Sequence, residues 1–427
     1  MTILKTLLGS YIPTFFEMHV ATRDDDMTIN QMSDGDATVL FHEYIHFLQD
    51  ITTFYGLNNL YVQSEYLHSV VNRVKGNLQF QVPYMIRDNK DNVLLNQKIC
   101  RLTNGDSEES SFYLVHSVDE WSDDLADDFI SNPPISEIKN IVLNQNDNMR
   151  SFGAIAIMES MAYILERLCS PNAYVSSPDY PYRAAELVAI YYYDAKFGND
   201  LLRVLALCDM SLQNSNPGLC FVNIMKLVGE GKLLFDTPES IYDYFYNRRV
   251  KSVYGRVTSW QDSYNKLLNQ VDTCLQDYIK GIDSLKSYHE WINHLVDFSR
   301  DWRNNDRYFL LKMARKNDLK KNDCWGYTVA RIGSPLMVNA NNHYFKLPYD
   351  GMQEGESVEM YAALKEIYKL FLEGNKPCGL LTWCNDSLES TPNELCNTAP
   401  WKKVGETKLC PYAFFWRHWG LTGCEPV

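Results

Sequence analysis

His42-Glu43-Tyr44-Ile45-His46 is the stretch on which the reading of this chain turns. Side chains four residues apart share one face of a helix, so both imidazoles project together and can bind a single zinc ion. Glu43, one residue past the first histidine, sits beside the metal rather than on it. A carboxylate there can take a proton from an attacking water and pass it on.

The flanking residues predict a helix. Ser33-Asp34-Gly35-Asp36 offers N-cap candidates. Ala37, Val39, Leu40, Phe41, Tyr44, Ile45, Phe47, Leu48 and Ile51 then form a wide apolar surface, and Gly56 is the expected C-terminal stop. His42 and His46 thus fall mid-helix in a buried setting. Gln49, one turn on, is a candidate to hold His46 from behind. The competing account is two core histidines bonded to backbone, with Glu43 in solvent. His289-Glu290-Trp291-Ile292-Asn293-His294 is a useful contrast. One residue longer, it turns its second histidine about 100° further round the helix, so these read as ordinary histidines.

Zinc hydrolases take three protein ligands and keep a fourth position open. No third histidine follows the motif closely, so a carboxylate is expected. Glu65 follows His46 after 18 residues, on a helix that is polar around it and would solvate it. Glu159 lies in Gly153-Ala154-Ile155-Ala156-Ile157-Met158-Glu159-Ser160-Met161-Ala162-Tyr163-Ile164-Leu165-Glu166, which is apolar nearly all round and therefore buried. A carboxylate there is costly unless a cation or a metal pairs with it. Burial cost favours Glu159 over Glu65. Glu166, on the same face, is placed to orient a ligating histidine. The alternative is a Glu159 paired with Arg167 or Arg183. His68 and His116 are weaker ligand candidates.

His42-Glu43-x-x-His46 with the later Glu159-Ser160-Met161-Ala162-x-x-x-Glu166 resembles the gluzincin branch of the zincin metallopeptidases. The resemblance covers two helices, about one tenth of the chain. It implies His42, His46 and Glu159 as zinc ligands and Glu43 as general base. It also implies a zincin-like core with a sheet beside the zinc helix, and peptide hydrolysis as the activity. Two departures stand out. The usual Asp four residues after the ligand glutamate is Tyr163 here, and the gap between the two helices is long.

The 427 residues are 45% hydrophobic and 13% aromatic, enough for one large or two modest cores. A net charge of −14 argues against electrostatic binding of nucleic acid. No apolar run reaches membrane-spanning length. Eleven cysteines, an odd number, behind an N-terminus that does not read as a signal peptide point to the cytoplasm. Five of them, Cys378, Cys384, Cys396, Cys410 and Cys424, fall in the last 50 residues without the C-x2-C spacing of a zinc ribbon. They read as free thiols in an aromatic tail, with structural zinc or a thiolate that keeps the enzyme latent as the sharper options.

Along the chain, 1–118 is expected to hold the zincin-like region. Within it come one or two strands in 11–32, a second helix over 58–76, and a small β insertion with strands at 78–82 and 111–115. Residues 119–149 read as an irregular acidic connector containing Pro133-Pro134. Residues 150–375 read as helical, with segments at 183–196, 199–213, 219–230, 238–248, 258–301 and 353–374, and 376–427 form the tail. The fold class is α+β, predominantly α-helical. Tyr163, Tyr180, Tyr182, Arg183 and His294 are candidates to stabilise an oxyanion. The expectation is a zinc-dependent metallopeptidase acting on a peptide or protein, restrained by access, latency or an activating partner. The alternatives are a zinc-stabilised binding or regulatory protein and a hydrolase of a non-peptide amide or ester.

Overall fold

The histidine helix runs Asp34–Thr52, and 15 of its 19 residues are buried. Ser33 caps it, its hydroxyl accepting from the Asp36 amide at 3.1 Å, as the sequence predicted. It stops at Thr52, short of Gly56. Thr53 turns the chain with its hydroxyl, which donates to the Gln49 carbonyl at 2.6 Å and accepts from the Gly56 amide at 3.0 Å. Gly56 is instead the third residue of the next helix, Phe54–Val74. A Cβ there would lie 2.4 Å from the Asp50 Cα, so glycine is needed for close approach of two helices, not for ending one.

This computed structural model describes residues 4–5, 9–12, 16–22, 31–86, 92–112, 114–125, 137–146, 148–174, 176–251, 257–341, 343–352, 358–386 and 391–427. Within them the chain is mixed α and β and predominantly helical. A five-stranded sheet packs on the histidine helix, in the order Leu4–Lys5, Gly9–Ile12, Glu17–Val20, Leu336–Val338, Tyr344–Phe345. Its pairings are antiparallel except between Glu17–Val20 and Leu336–Val338, which run parallel with Met18 opposite Met337. The sheet thus joins residues more than 300 positions apart. Strands do form within 11–32, although Thr14, Phe15 and 23–30 lie outside the described residues. Phe47 of the histidine helix fills the gap to the sheet, edge-on to Phe16 and stacked on Trp291.

The β insertion is placed differently from its expectation. Only Gln79–Phe80 is a strand in 78–82, and among the described residues of 111–115 there is none. Asn92–Asn104 is a helix between them, burying Leu95, Cys100 and Thr103 on one face. The sheet lies in the supposed connector, where Ser117–Asp124, Glu137–Gln145 and Asn148–Ser151 form an antiparallel meander. Acidic residues masked this alternation, because the first strand turns its charges to solvent. Pro133-Pro134 lies outside the described residues. The 258–301 segment is two helices, Trp260–Asp277 and Lys286–Asn305, separated by a turn in which Gly281 has φ +79°. Among the described residues one continuous apolar core extends from Tyr11 to Cys424. The tail returns to the N-terminal half, its last strand Glu425–Pro426 pairing with Gln79–Phe80.

Two buried ion pairs tie this architecture together. Arg303, fully buried on Lys286–Asn305, grips Asp209 bidentately at 2.8 Å and donates through Nε to the Thr52 carbonyl at 2.6 Å. A cation thereby satisfies the C-terminal end of the histidine helix. Lys365, on helix Val358–Glu373, pairs with Glu17 in the middle of the sheet. Burial alone would raise the Glu17 carboxyl. Hydrogen bonding to His19 and the charge of Lys365 overcome that and hold it at about 2.

A carboxyl depressed on folding adds stability above its unfolded value of 4.5, which is lost as pH falls through 2. We expect the pair to account for about 3 kcal/mol of acid sensitivity in that window. Urea titrations at stepped pH should show the Glu17→Gln/Lys365→Met double variant losing that much less than wild type. Lys365→Met alone should cost about 3–5 kcal/mol near neutral pH by leaving a buried carboxylate unpaired.

Candidate metal centre

The polar side of the histidine helix faces a second buried helix, Ala154–Cys169, with 14 of 16 residues buried. This glutamate helix starts at Gly153, where a Cβ would lie 2.5 Å from the Asn104 carbonyl group. Ala162 is fully buried and keeps the shared face small. The two helices can therefore approach closely enough for side chains to meet across them.

Glu159 meets both imidazoles there. Its Oε2 lies 3.2 Å from His42 Nε2 and 3.5 Å from His46 Nε2. The three residues are at most 3% exposed. Their ligand atoms lie within 4.8 Å of one another, and among the described residues no other group of histidine, cysteine or acidic side chains converges so closely. Arg167 and Arg183 do not pair with Glu159. Arg167 binds Glu186 at 2.6 Å and Arg183 binds Asp179 at 2.9 Å. Glu65 lies elsewhere, half-buried beside Cys274. His68 stacks on Tyr278, and His116 accepts from the Asn146 amide. His289 bonds to Gln276, and His294 lies against Tyr349.

Behind the ligands stands a row of supporting groups. Glu166 Oε2 is 3.0 Å from His42 Nδ1. Gln49 Oε1 is 2.8 Å from His46 Nδ1, while its Nε2 donates to the Met158 carbonyl at 2.9 Å. Each imidazole is thus held through Nδ1 with Nε2 aimed at a common point. Glu166 fills the orienting role that Tyr163 leaves vacant in the sequence pattern.

The donor set suits a metal ion on three grounds. Tetrahedral coordination with arms of about 2.0–2.1 Å separates ligands by about 3.3 Å, close to the two distances between Glu159 and the histidines. His46 Nε2 is buried with no hydrogen-bond partner, an expensive state for a ring nitrogen that has no ion to bind. His42 has a carboxylate at each ring nitrogen, so a cation or a second ring proton is required. With a proton, hydrogen bonds to Glu159 and Glu166 outweigh burial and raise its pKa well above the usual histidine range. Burial likewise opposes ionisation of Glu159, but the charge of His46 and the hydrogen bond to His42 hold it at about 2.

Glu43 is fully buried on the same helix, and its charge acts on both His42 and Tyr182. Tyr182 is the one oxyanion candidate that the fold brings to the site, its ring centroid 6.2 Å from that of His42. Its hydroxyl donates to Glu109 at 3.1 Å. Burial, with Glu159, Glu109 and Glu43 nearby, raises its pKa, so it stays a donor at every ordinary pH. Ser160 positions this turn by donating to the Pro181 carbonyl at 3.0 Å and accepting from the Ala185 amide at 3.2 Å. Glu109 and Ser160 carry no signal in the sequence. One is a surface-type residue in an acidic loop and the other a small residue in an apolar helix. Tyr180 points away, bonding the Ser151 carbonyl.

Comparison with known proteins finds no relative: no family model, curated protein or solved structure matches the chain. No helix among the described residues is long and apolar enough to cross a membrane.

Metal binding here must displace the proton that His42 otherwise carries, so affinity should rise about tenfold per pH unit while that proton is bound. Glu166→Gln should lower the proton count released near neutral pH, yet weaken the metal by about 10–100-fold. Calorimetry in buffers of different ionisation enthalpy reads the protons, and competition with a chromophoric chelator reads the affinity.

Proposed function

We propose that this protein is a zinc-dependent metallopeptidase of gluzincin type. The observation that carries this reading is the buried cluster of His42, His46 and Glu159, with Glu43 one residue past the first ligand. Two nitrogens and one carboxylate oxygen are the donors of a catalytic zinc site that keeps a position open, whereas structural sites favour four closed ligands rich in sulfur. Zinc held there supplies a Lewis acid for a carbonyl and lowers the pKa of water.

The chain's own residues would then do the following. Glu166 and Gln49 fix the imidazoles in the tautomer that presents Nε2. Glu43 accepts the proton of the attacking water and returns it to the leaving nitrogen. Tyr182 donates a hydrogen bond to the oxygen on which charge develops, giving up Glu109 to do so. The sheet beside the histidine helix supports the resemblance in layout. A cytoplasmic setting agrees with eleven free cysteines.

Zinc analysis of the protein purified without chelators should find the metal lost with His46→Ala and with Glu159→Ala but kept with Glu65→Ala. Peptide-library cleavage should be abolished by Glu43→Gln with metal retained, a loss of about 10²–10⁴ in kcat. Tyr182→Phe should lower kcat by about 10²–10³ at similar KM. Metal-replete wild type that cleaves small amides but no peptide would move the reading to a non-peptide hydrolase. A protein that holds zinc yet hydrolyses neither would leave a zinc-stabilised binding protein.

A further inference from the structure

The tail holds a second convergence, which the linear spacing of its cysteines hides. Cys378, Cys384, Cys396 and Cys410 all line one cavity of about 20 Å³. That is room for one water-sized particle, an ion rather than an organic ligand. Four of the chain's eleven cysteines thus line one cavity, and no disulfide joins any of them. Cys424 is separate, its thiol donating to the Val74 carbonyl.

Short elements bring the four together. The Cys378 amide donates to the Cys396 carbonyl at 2.9 Å, joining the first and third across the chain. Cys384 lies in helix Leu381–Asp386, its amide bonded to the Leu380 carbonyl at 2.8 Å. Cys410 is the N-cap residue of helix Pro411–His418. Backbone N–H groups act on two of the sulfurs, that of Leu380 on Cys378 and those of Ala413 and Tyr412 on Cys410. Burial outweighs them and pushes both thiols up, Cys378 to about 12.

A buried ammonium also stands beside the cluster. Four thiolates around a divalent cation leave a net charge of −2. Lys403 lines the same cavity and is only 2% exposed, its ammonium bonded to the Thr391 carbonyl and Glu406. Its charge acts on Cys410. A buried cation beside a cluster of thiols offsets the charge that metal binding would create there.

We propose that Cys378, Cys384, Cys396 and Cys410 form a closed four-thiolate site for a structural zinc ion. Tetrahedral sulfur is zinc's preferred structural environment. No three of these sulfurs stand within 4.8 Å of one another, so binding draws them inward. Tetrahedral arms of about 2.3 Å put sulfurs about 3.8 Å apart. The ion would fasten the loops beneath helix Pro411–His418, which packs on Val358–Glu373, the helix that carries Lys365 to the sheet. The ligands come in C-x5-C and C-x13-C pairs, which is why no zinc-ribbon spacing betrays them.

The proposal stands apart from the hydrolase reading, and separate variants test each site. Elemental analysis of the intact chain, purified without chelators, should find two zinc ions in wild type and one in His46→Ala. Cys396→Ser/Cys410→Ser should also keep one. With cobalt substituted for zinc, thiolate-to-metal charge-transfer absorption should survive His46→Ala and vanish in the double cysteine variant. Wild type alone provides a check that needs no variant to fold, since four additional thiols should react with a chromogenic reagent after chelation. Thiols that react at the same rate with and without chelator would overturn the proposal. So would a metal-free His46→Ala protein, a disulfide among the four cysteines, or iron in place of zinc.

Discussion

Burying a polar helix at the centre of the molecule is the constraint to which everything else answers. The histidine helix carries two imidazoles, Glu43, Gln49 and Asp50 into a region sealed from water. Each such group costs about 1–3 kcal/mol if left without a partner, and more if charged. The glutamate helix is the principal answer. It brings Glu159 and Glu166 to the imidazoles and offers its Met158 carbonyl to Gln49. Without those carboxylates both ring nitrogens of His42 would lose their partners. Without the rings, Glu159 would be a buried carboxylate in an apolar helix with no cation beside it.

The same logic extends outward. Arg303 answers the end of the histidine helix while Asp209 answers Arg303, locking three helices at one point. Glu17 and Lys365 do the same between the sheet and helix Val358–Glu373. Buried pairs of this kind are a weak source of net stability, since apolar residues of equal volume would often serve as well. Their effect is on register. A shifted helix or strand would strand a charge, so alternative packings are penalised more heavily than by apolar contacts alone. A buried cluster such as His42, His46 and Glu159, whose polar atoms stand 3.2–3.5 Å apart, benefits from that penalty.

Much of the site was legible because its chemistry is local. The i, i+4 spacing puts His42 and His46 on one face whatever the surroundings, and an apolar helix interrupted by Glu159 declares a buried carboxylate that needs a cation. Glu166 and Gln49 follow from the same helical periodicity. Helix ends were less legible. Gly56 has the composition of a stop signal, yet its role is to let Phe54–Val74 pass close to Asp50. The meander at 117–151 was hidden because its strands expose their charges, and charge in sequence looks the same in a strand as in a loop.

The sequence by itself determined the helix that carries the histidine pair, which of two rival carboxylates is buried against it and the predominance of helix, because each rests on periodicity or on the cost of burying charge. Only the tertiary structure decided which of many tyrosines reaches the site, that Glu109 holds it, that Arg303 closes the histidine helix, and that four scattered cysteines share one cavity. Those contacts join residues tens to hundreds of positions apart. Nothing in local spacing encodes such a meeting, which depends on how the helices and turns are packed over one another.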